Sequence, residues 1–283
     1  MTLLIVDGMS IMRALAGAAA HLDQGYAYSF MSQVNAAVKK FEVGGVAVCW
    51  EGGFEKRSAL LPSYKSNRTY TPPLIQQERD KVKELLTALG AEQFVAPGHE
   101  ADDMIALLAN TLGDCVIMSG DKDMLQLVRQ GVSVYQKVRG AGQKSKKELI
   151  TIENFQEKTG WPSPRVLLLG HCALGDDVDC IPKLAGVGAG IIHAYHLGMD
   201  IPAGKAEKLR AFYADSPQYI LNRKLISLLE VKELEFVRTP GKWSLEKISG
   251  LLHELGFASI LAKFEEWIAP WEKARLDADI STV

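Results

Sequence analysis

The chain has 283 residues, 47% of them hydrophobic, enough for one large α/β domain or for one domain with a smaller appendage. Its formal net charge of -2 gives no sign of a nucleic-acid partner, so any such signal has to be local. No apolar run approaches the roughly 20 residues of a membrane helix, and the N-terminal run lacks the basic flank of a signal peptide. The four cysteines form no Cys-x-x-Cys pair, which favours reduced thiols in a cytoplasmic protein.

The first element is a continuous apolar run, Leu3 to Val6, that predicts a strand buried on both faces, as in a parallel sheet. It ends at Asp7-Gly8. Ligands of open α/β sheets bind beyond the carboxyl ends of the strands, which makes Asp7 a candidate site residue. The alternative is an aspartate that only forms a turn or caps a helix.

A second strand carries a second carboxylate at its end. Apolar positions at helical spacing predict a helix from Tyr28 to Phe41, and Val46 to Trp50 is then a second buried strand. That strand runs directly into Glu51-Gly52-Gly53.

The segment from Phe54 to Lys83 is locally basic, with seven basic residues against three acidic ones. Tyr64 and Tyr70 are interleaved with these charges, and a helix is predicted for about 74–89. A basic, aromatic-bearing segment favours a grip on a nucleic-acid strand. A solvated basic loop and helix face is the alternative.

The stretch from Glu100 to Asp123 predicts an acidic helix start, a turn and a buried strand. Its acidic residues fall in the first turn of the helix and just past the strand: Glu100, Asp102, Asp103, Asp121 and Asp123. Like charges brought so close together raise each other's pKa values unless a cation lies between them. A hard divalent cation bound by oxygen ligands is the usual way to compensate such a cluster. The alternative is that the acids of the first helical turn only favour the helix dipole and that those after the strand only form a turn.

The second half is predicted to be mainly helical. A short helix from Met124 and a strand from Val132 to Tyr135 come first, and a mobile basic loop is predicted for Lys137 to Lys147. A helix from Ser163 to Leu174 then enters the third acidic cluster, Gly175-Asp-Asp-Val-Asp179.

A glycine run, Gly186-Val-Gly-Ala-Gly190, follows that cluster and opens another helix. It lacks the preceding strand of a dinucleotide site. Backbone N–H groups at such a helix start can bind a nucleic-acid phosphate, and a tight helix–helix turn is the alternative. Beyond residue 200 we predict a short strand at Leu234–Val237 and C-terminal helices that serve as packing elements.

The order of these motifs resembles the flap endonuclease and 5'-to-3' exonuclease family, which includes stand-alone phage and bacterial 5'-nucleases and the 5'-nuclease domain of bacterial DNA polymerase I. The resemblance covers roughly residues 1 to 200. It rests on the strand ends at Asp7 and Glu51, Leu61-Pro-Ser-Tyr-Lys-Ser-Asn-Arg68, Glu100-Ala-Asp-Asp103, Gly120-Asp-Lys-Asp123, Gly175 to Asp179 with Ile181-Pro182, and the glycine hairpin.

The resemblance implies an α/β fold with a mostly parallel central sheet flanked by helices, a PIN-like 5'-nuclease core. The core would span 1–150 and include a helical arch at about 55–95. Residues 151–283 would form a mainly helical DNA-binding region, with a helix–three-turn–helix element at about 165–198.

The resemblance also implies two or more magnesium or manganese ions held by carboxylates. Asp7, Glu51, Glu100 and Asp102 would form one site, with Asp103 in support. The second site would consist of Asp121, Asp123, Asp176 and Asp179. Two such metals activate a water and stabilise the leaving oxygen of a phosphodiester.

The resemblance assigns DNA contacts as well. Lys65 and Arg68 match the basic pair at the base of the arch, which holds the scissile phosphate. Tyr64 is a candidate stacking residue, and the arch lysines Lys81 and Lys83 are candidate DNA contacts. The hairpin glycines, which hold duplex phosphates and often a potassium ion in the family, are Gly186, Gly188 and Gly190.

Three positions depart from the family pattern. Glu51 stands where Asp is usual, Cys180 replaces the usual Asn after Asp179, and Gly190 stands where many members carry Lys. None of these changes removes a metal ligand, so an active enzyme is expected. Asp177 is an additional acid to which the resemblance assigns no role.

The expected function is a metal-dependent, structure-selective 5'-nuclease that cuts DNA flaps and degrades from 5' ends, leaving a 5'-phosphate and a 3'-hydroxyl. RNA primers on DNA are further candidate substrates. A monomer in the bacterial or phage-infected cytoplasm is expected, with a replication polymerase as a candidate partner and no membrane association. The alternatives are a PIN-like ribonuclease and a non-catalytic DNA-junction-binding protein.

Overall fold

The computed structural model describes residues 2–16, 25–67, 73–138 and 146–274. The strands in these ranges are β1 (Leu3–Asp7), β2 (Gly45–Trp50), β3 (Glu92–Val95), β4 (Cys115–Met118), β5 (Val132–Val138), β6 (Lys146–Ile150) and β7 (Val237–Thr239). The helices are α1 (Gly8–Ala16), α2 (Gly25–Phe41), α3 (Glu55–Leu60), α4 (Pro73–Ala88), α5 (Ala101–Leu112), α6 (Phe155–Thr159), α7 (Pro164–Leu174), α8 (Ala189–His196), α9 (Ala203–Tyr213), α10 (Pro217–Ile226), α11 (Leu245–Glu254), α12 (Ala258–Leu261) and α13 (Phe264–Ala274). A 3-10 helix covers Lys122–Leu127.

The chain divides into two compact units that are discontinuous in sequence. Unit 1 consists of Met1–Gly53, Tyr70–Asp121 and Lys232–Val283, and unit 2 of Phe54–Thr69 and Lys122–Val231. This division differs from the predicted single boundary near residue 150, because the C-terminal segment belongs to the N-terminal unit.

Unit 1 is built on a mostly parallel sheet, as predicted. β1 pairs in parallel with β2 on one side and with β4 on the other, and β2 pairs in parallel with β3. β7 is antiparallel to β3 and closes this run of strands. Every residue of β1 and β2 is buried, which explains why both appear in the sequence as apolar runs, with Asp7 as the only charged residue, at the end of β1. The α/β class is therefore confirmed.

The helices of unit 1 bury apolar faces against this sheet and against each other. α5 packs on β1 and β2, α11 packs on α4, and α13 packs on α2. The side chains of Ile248, Leu252, Trp267, Ile268 and Trp271 are buried in the C-terminal helices. The sequence-based expectation that these helices are packing elements agrees with this burial.

Unit 2 combines an antiparallel hairpin with a helical cluster. β5 pairs with β6 from Val134↔Ile150 to Val138↔Lys146. The predicted mobile loop at 137–147 was therefore wrong at its ends, which are strand residues; positions 139–145 lie outside the described residues. The helical core of this unit includes Leu168, Ile192, Leu209, Phe212 and Leu225.

Start signals in the sequence account for two helices of unit 2. The Ser163 hydroxyl accepts a hydrogen bond from the backbone N–H of Val166, and proline occupies the first turn of α7. The same arrangement, with Ser216 accepting from Tyr219 N–H, starts α10. α7 and α8 lie within the predicted helix–three-turn–helix segment, whose finer assignment remains a prediction.

Two strands differ from the sequence-based expectations. β3 lies inside the segment assigned to the arch, so the C-terminal part of that segment belongs to the sheet. The short strand predicted at Leu234–Val237 is β7 in the structure and lies at Val237–Thr239. Among the described helices, none has both the length and the apolar character needed to cross a bilayer.

Candidate active site

Asp7 is the most buried carboxylate at the candidate site, with 2% of its surface exposed at the end of β1. Its Oδ1 accepts a hydrogen bond from Ser10 N–H at 2.9 Å, and its Oδ2 accepts one from the Ser119 hydroxyl at 2.6 Å. Burial raises the pKa of Asp7, and the charge of Glu51 raises it further. The two hydrogen bonds and the charge of Arg13 lower the pKa but do not cancel the effect of burial.

Glu51 follows β2, the strand next to β1, so the two strand-end carboxylates are neighbours. Asp7 is in register with Cys49, two residues before Glu51. The Glu51 carboxylate forms an ion pair with Arg13, whose Nη2 lies 3.0 Å from Glu51 Oε2. The Glu51 side chain is 19% exposed and that of Arg13 is 41% exposed.

Two glycines allow the backbone to pass close to other groups beside these carboxylates. A Cβ at Gly8, directly after Asp7, would lie 2.5 Å from the indole ring of Trp50. A Cβ at Gly52, directly after Glu51, would lie 2.1 Å from the carbonyl oxygen of Ala96. Each Asp-Gly or Glu-Gly pair therefore satisfies a steric requirement, because real Cβ atoms do not approach so closely.

The start of α5 brings three more acids into unit 1. Glu100 is the N-cap, and its side chain and that of Asp103 form a reciprocal capping box, with Asp103 Oδ2 3.2 Å from Glu100 N. His99 Nδ1 lies 3.7 Å from the same oxygen. The buried Cys49 thiol is affected by the acids of both elements. Burial raises its pKa well above 9.0, and the charges of Asp7 at the end of β1 and of Asp102 in α5 raise it further.

Ser119 joins two of the predicted acids. Its hydroxyl donates to Asp7 Oδ2 and also accepts a hydrogen bond from the backbone N–H of Asp121 at 3.0 Å. Ser119 directly follows β4, which pairs in parallel with β1 up to Val6↔Met118. Residues 7 and 119 therefore lie next to each other at the carboxyl ends of these two parallel strands. Sequence motifs alone assign no role to Ser119, although its place directly after a buried strand is a signal that would identify it as a candidate.

The acids of unit 2 are held by local hydrogen bonds. Asp123 Oδ1 lies 2.8 Å from His171 Nδ1 of α7. Asp176 Oδ1 accepts from the backbone N–H groups of Val178 at 2.7 Å and Asp179 at 3.2 Å, which shapes the acidic loop. Asp177, which had no assigned role, is 82% exposed and pairs with Lys183.

Lys65 is anchored to this acidic loop. Its backbone N–H donates to the carbonyl of Asp179 at 3.1 Å, and its Nζ lies 3.9 Å from Asp179 Oδ2. The residue is buried and has a positive φ of 54°. Its predicted partner at the base of the arch, Arg68, lies outside the described residues.

Three predicted DNA contacts have other partners in the structure. Tyr64 is only 4% exposed and belongs to the core of unit 2, so its ring does not form the exposed platform that base stacking needs. Lys81 forms an ion pair with Glu254. Lys83 Nζ lies 5.0 Å from the centroid of the Trp50 ring, and burial lowers its pKa, with a further decrease from nearby Arg79.

The glycine hairpin leads into α8 as predicted, with Gly188 as the N-cap and Gly190 in the first turn. Gly186 has a positive φ of 69°, which is the left-handed region that glycine favours. Its carbonyl accepts a hydrogen bond from Lys205 Nζ of α9. A cation from α9 therefore lies beside the hairpin, which itself has Gly190 at the position of the usual family lysine.

The donor atoms in unit 1 fit a hard divalent cation by their chemistry. They are carboxylate oxygens, and the one thiol among them, Cys49, is kept protonated by its raised pKa. Within the described ranges, however, no three side chains of His, Cys, Asp or Glu are grouped closely enough to hold a metal ion. The acids bond instead to Arg13, Ser119 and the start of α5.

Comparison with known protein families agrees with this arrangement. Residues 2–160, more than half of the chain, match the family described as "5'-3' exonuclease, N-terminal resolvase-like domain". The 5'-3' exonuclease of Bacillus subtilis (strain 168) is 33% identical over 200 residues, which cover 66% of each protein. DNA polymerase I of Caldicellulosiruptor bescii is 30% identical over 262 residues, which cover 83% of this chain but only 29% of that protein. The alignments thus span less than two thirds of the Bacillus protein and under a third of the polymerase.

Solved structures show the same fold at low sequence identity. A crystal structure of the bacteriophage T5 flap endonuclease with DNA and metal ions superposes with a TM-score of 0.65 at 18% identity. The superposition covers 96% of this chain and all of that one. With the strand-end acids, the parallel sheet and the family match together, the chain belongs to the 5'-3' exonuclease family.

Proposed function

We propose that this chain is a metal-dependent, structure-selective 5'-nuclease that cuts DNA flaps near the single-strand/duplex junction and degrades DNA from 5' ends. One observation carries the proposal: β1 ends at Asp7, Glu51 directly follows the neighbouring parallel strand β2, and Ser119 connects Asp7 to Asp121. Membership in the 5'-3' exonuclease family supports phosphodiester hydrolysis. The T5 relative, described as a flap endonuclease with DNA and metal ions, supports the substrate class.

The proposed metal ligands of unit 1 are Asp7, Glu51, Glu100 and Asp102, with Asp103 supporting the start of α5. Magnesium is the proposed ion, with manganese as a substitute. A bound divalent cation supplies an activated water and stabilises the leaving oxygen. Asp121 in unit 1 and Asp123, Asp176 and Asp179 in unit 2 remain candidate ligands of further cations.

The chain's own residues have distinct proposed roles. Ser119 and Ser10 orient the Asp7 carboxylate through their hydrogen bonds. Lys65 is proposed to bind the scissile phosphate, and its backbone bond to Asp179 keeps it beside the acidic loop. The hairpin at 186–190, with Lys205, is proposed to bind duplex phosphates, with potassium as a candidate ion there.

The direct test is cleavage of an end-labelled 5'-flap DNA, with and without magnesium, at nucleotide resolution. Magnesium-dependent products at the junction, bearing a 3'-hydroxyl, are expected. Binding without cleavage would instead support the non-catalytic junction-binding alternative. Preferred cleavage of a matched RNA, run side by side, would support the ribonuclease alternative. A hybrid with an RNA 5' segment tests primer removal.

Two neighbouring acids provide a matched pair for this assay. Asp176→Asn is expected to abolish cleavage and to leave flap binding nearly unchanged, because it removes a ligand charge but keeps an acceptor for the loop N–H groups. Asp177→Asn is the control, because that side chain points to solvent and pairs only with exposed Lys183 among the bonds described for it. Equal loss in both variants would show general loop damage, and full activity in Asp176→Asn would remove that acid from the proposal.

A further inference from the structure

Arg13 is a charged residue at the candidate site to which neither the motifs nor the resemblance gave a role. It lies on α1, about a turn and a half beyond Asp7. Its guanidinium is 3.0 Å from Glu51 Oε2, although the Glu51 side chain is only 19% exposed. A proposed metal ligand therefore already has a cationic partner supplied by the same unit.

The same guanidinium also acts on the second carboxylate. Asp7 and Glu51 repel each other, and Arg13 attracts Asp7 as well as Glu51. Two carboxylates at adjacent strand ends, one of them almost fully buried, repel each other unless a positive charge lies beside them. Arg13 supplies that charge from a side chain that is 41% exposed and so is able to withdraw towards solvent.

This ion pair differs from the exposed ion pairs of unit 1, although Arg238 and Glu92 form another partly buried pair, with the Glu92 side chain 14% exposed. Lys39 and Glu266 are both exposed and 3.7 Å apart, and Arg79 pairs with Asp80, a largely exposed neighbour in sequence. Pairs of that kind contribute little and have no buried carboxylate to compensate. Arg13 contacts an oxygen that a cation would also need.

We propose that Arg13 is the resident counter-charge of the Asp7–Glu51 pair and releases Glu51 when a divalent cation binds, so that Arg13 sets the cation affinity of the site. This inference rests on the proposed function, because it takes Glu51 as a metal ligand. Arg13 acts here as a positioning residue: it holds Glu51 in place and is not itself a ligand.

The expected effect follows from competition for one oxygen. A cation that binds Glu51 has to replace the Arg13 bond, and it also meets the repulsion of the remaining positive charge. Removing the guanidinium should therefore tighten Mn²⁺ binding by about three- to tenfold, the range expected for loss of a partly buried competing ion pair. The metal-depleted protein should at the same time become less stable, because the two carboxylates lose their counter-charge.

The experiment is calorimetric titration of the 283-residue chain with Mn²⁺, without DNA, so that the readout is independent of cleavage. Arg13→Gln is compared with wild type, with Arg13→Lys, which keeps the charge, and with Arg79→Gln, which removes an equivalent guanidinium elsewhere in unit 1. Arg13→Gln should bind more tightly, whereas the other two variants should stay near wild type. Arg13→Met carries the same expectation if Arg13→Gln does not fold.

A double-mutant cycle isolates the pair. In a Glu51→Gln background, Arg13→Gln should change Mn²⁺ affinity by less than about twofold, because the shared oxygen has lost its charge. Equal or weaker Mn²⁺ binding by Arg13→Gln, while wild type binds, would overturn the inference and leave the proposed metal site intact. No uptake of Mn²⁺ by wild type would overturn both.

Discussion

Substitution of Ser119 by alanine tests how the buried carboxylate of Asp7 is maintained. The change removes a 2.6 Å hydrogen bond to Asp7 Oδ2 and the acceptor of the Asp121 N–H. A hydrogen bond to a charged group contributes about 1.5–3 kcal/mol, and the buried oxygen finds no replacement in bulk water. We expect Ser119→Ala to lower the free energy of unfolding by about 2–3 kcal/mol at neutral pH in the presence of a chelator.

The pH dependence of this loss has a definite sign. Burial raises the pKa of folded Asp7 above its ordinary value of 3.8, so ionised Asp7 disfavours the folded state at neutral pH. The Ser119 bond lowers that pKa, and its loss raises it further. The difference between variant and wild type should therefore be full above the folded pKa of Asp7. It should shrink as the pH falls through the folded pKa values of the variant and the wild type, because the unfolded value of 3.8 is common to both proteins and cancels.

The assay is urea unfolding of wild type and Ser119→Ala at several pH values between about 5 and 8. Thr111→Ala is the matched control, because the Thr111 hydroxyl bonds only to its own helix, at Leu107 O, in the contacts described for it. That control should change stability by less than about 0.5 kcal/mol at every pH. A Ser119→Ala loss that grows as the pH falls, or no loss at neutral pH, would refute the reasoning.

Three further outcomes are expected. Cys180→Asn should raise the urea midpoint by the equivalent of about 0.5–1 kcal/mol, since Cys180 has a φ of 59° and asparagine tolerates that region better; a lower midpoint would contradict this. Gly170→Ala should lower the melting temperature, because its Cβ would lie 2.2 Å from Trp161 Cη2. Gly250→Ala, a helical site with no atom within 4 Å of the new Cβ, should instead raise it, and a fall in both would remove the steric explanation. Dialysis against EDTA should abolish flap cleavage and magnesium should restore it; activity that survives chelation would exclude the metal-dependent mechanism.

The parts of the fold that could be predicted were those with a strong local pattern. β1 and β2 are buried on both faces, so all their residues except Asp7, the last of β1, are apolar. α5 has its cap, acidic first turn and C-terminal glycine in the sequence. β3 was missed because Gln93 lies in its centre. That glutamine is buried through bonds with the Trp50 indole and the Thr87 hydroxyl, and these partners come from other elements.

The same distinction applies to the candidate site. Asp7 and Glu51 could be found because strand ends are visible in the sequence. Ser119 was not found, because its contact with Asp7 depends on the register of β1 with β4. Arg13 was not found, because its contact with Glu51 depends on which way its side chain projects from α1. The burial of Tyr64 could not be predicted, because composition alone does not separate an exposed aromatic ring from one that fills a core.

The three-segment construction of unit 1 has a consequence for how the chain is made. β3 pairs with β7 through Gln93↔Thr239, and the Trp271 indole donates a hydrogen bond to Asn35 Oδ1 at 2.9 Å. During synthesis, the partners of the first strands and helices leave the ribosome more than two hundred residues after Asn35. β3 and α2 therefore lack part of their hydrophobic cover until β7 and α13 have been synthesised. Ribosome-bound chains that stop near residue 200 should be protease-sensitive in α2 and β3, and chains extended well beyond residue 274 should protect these two elements.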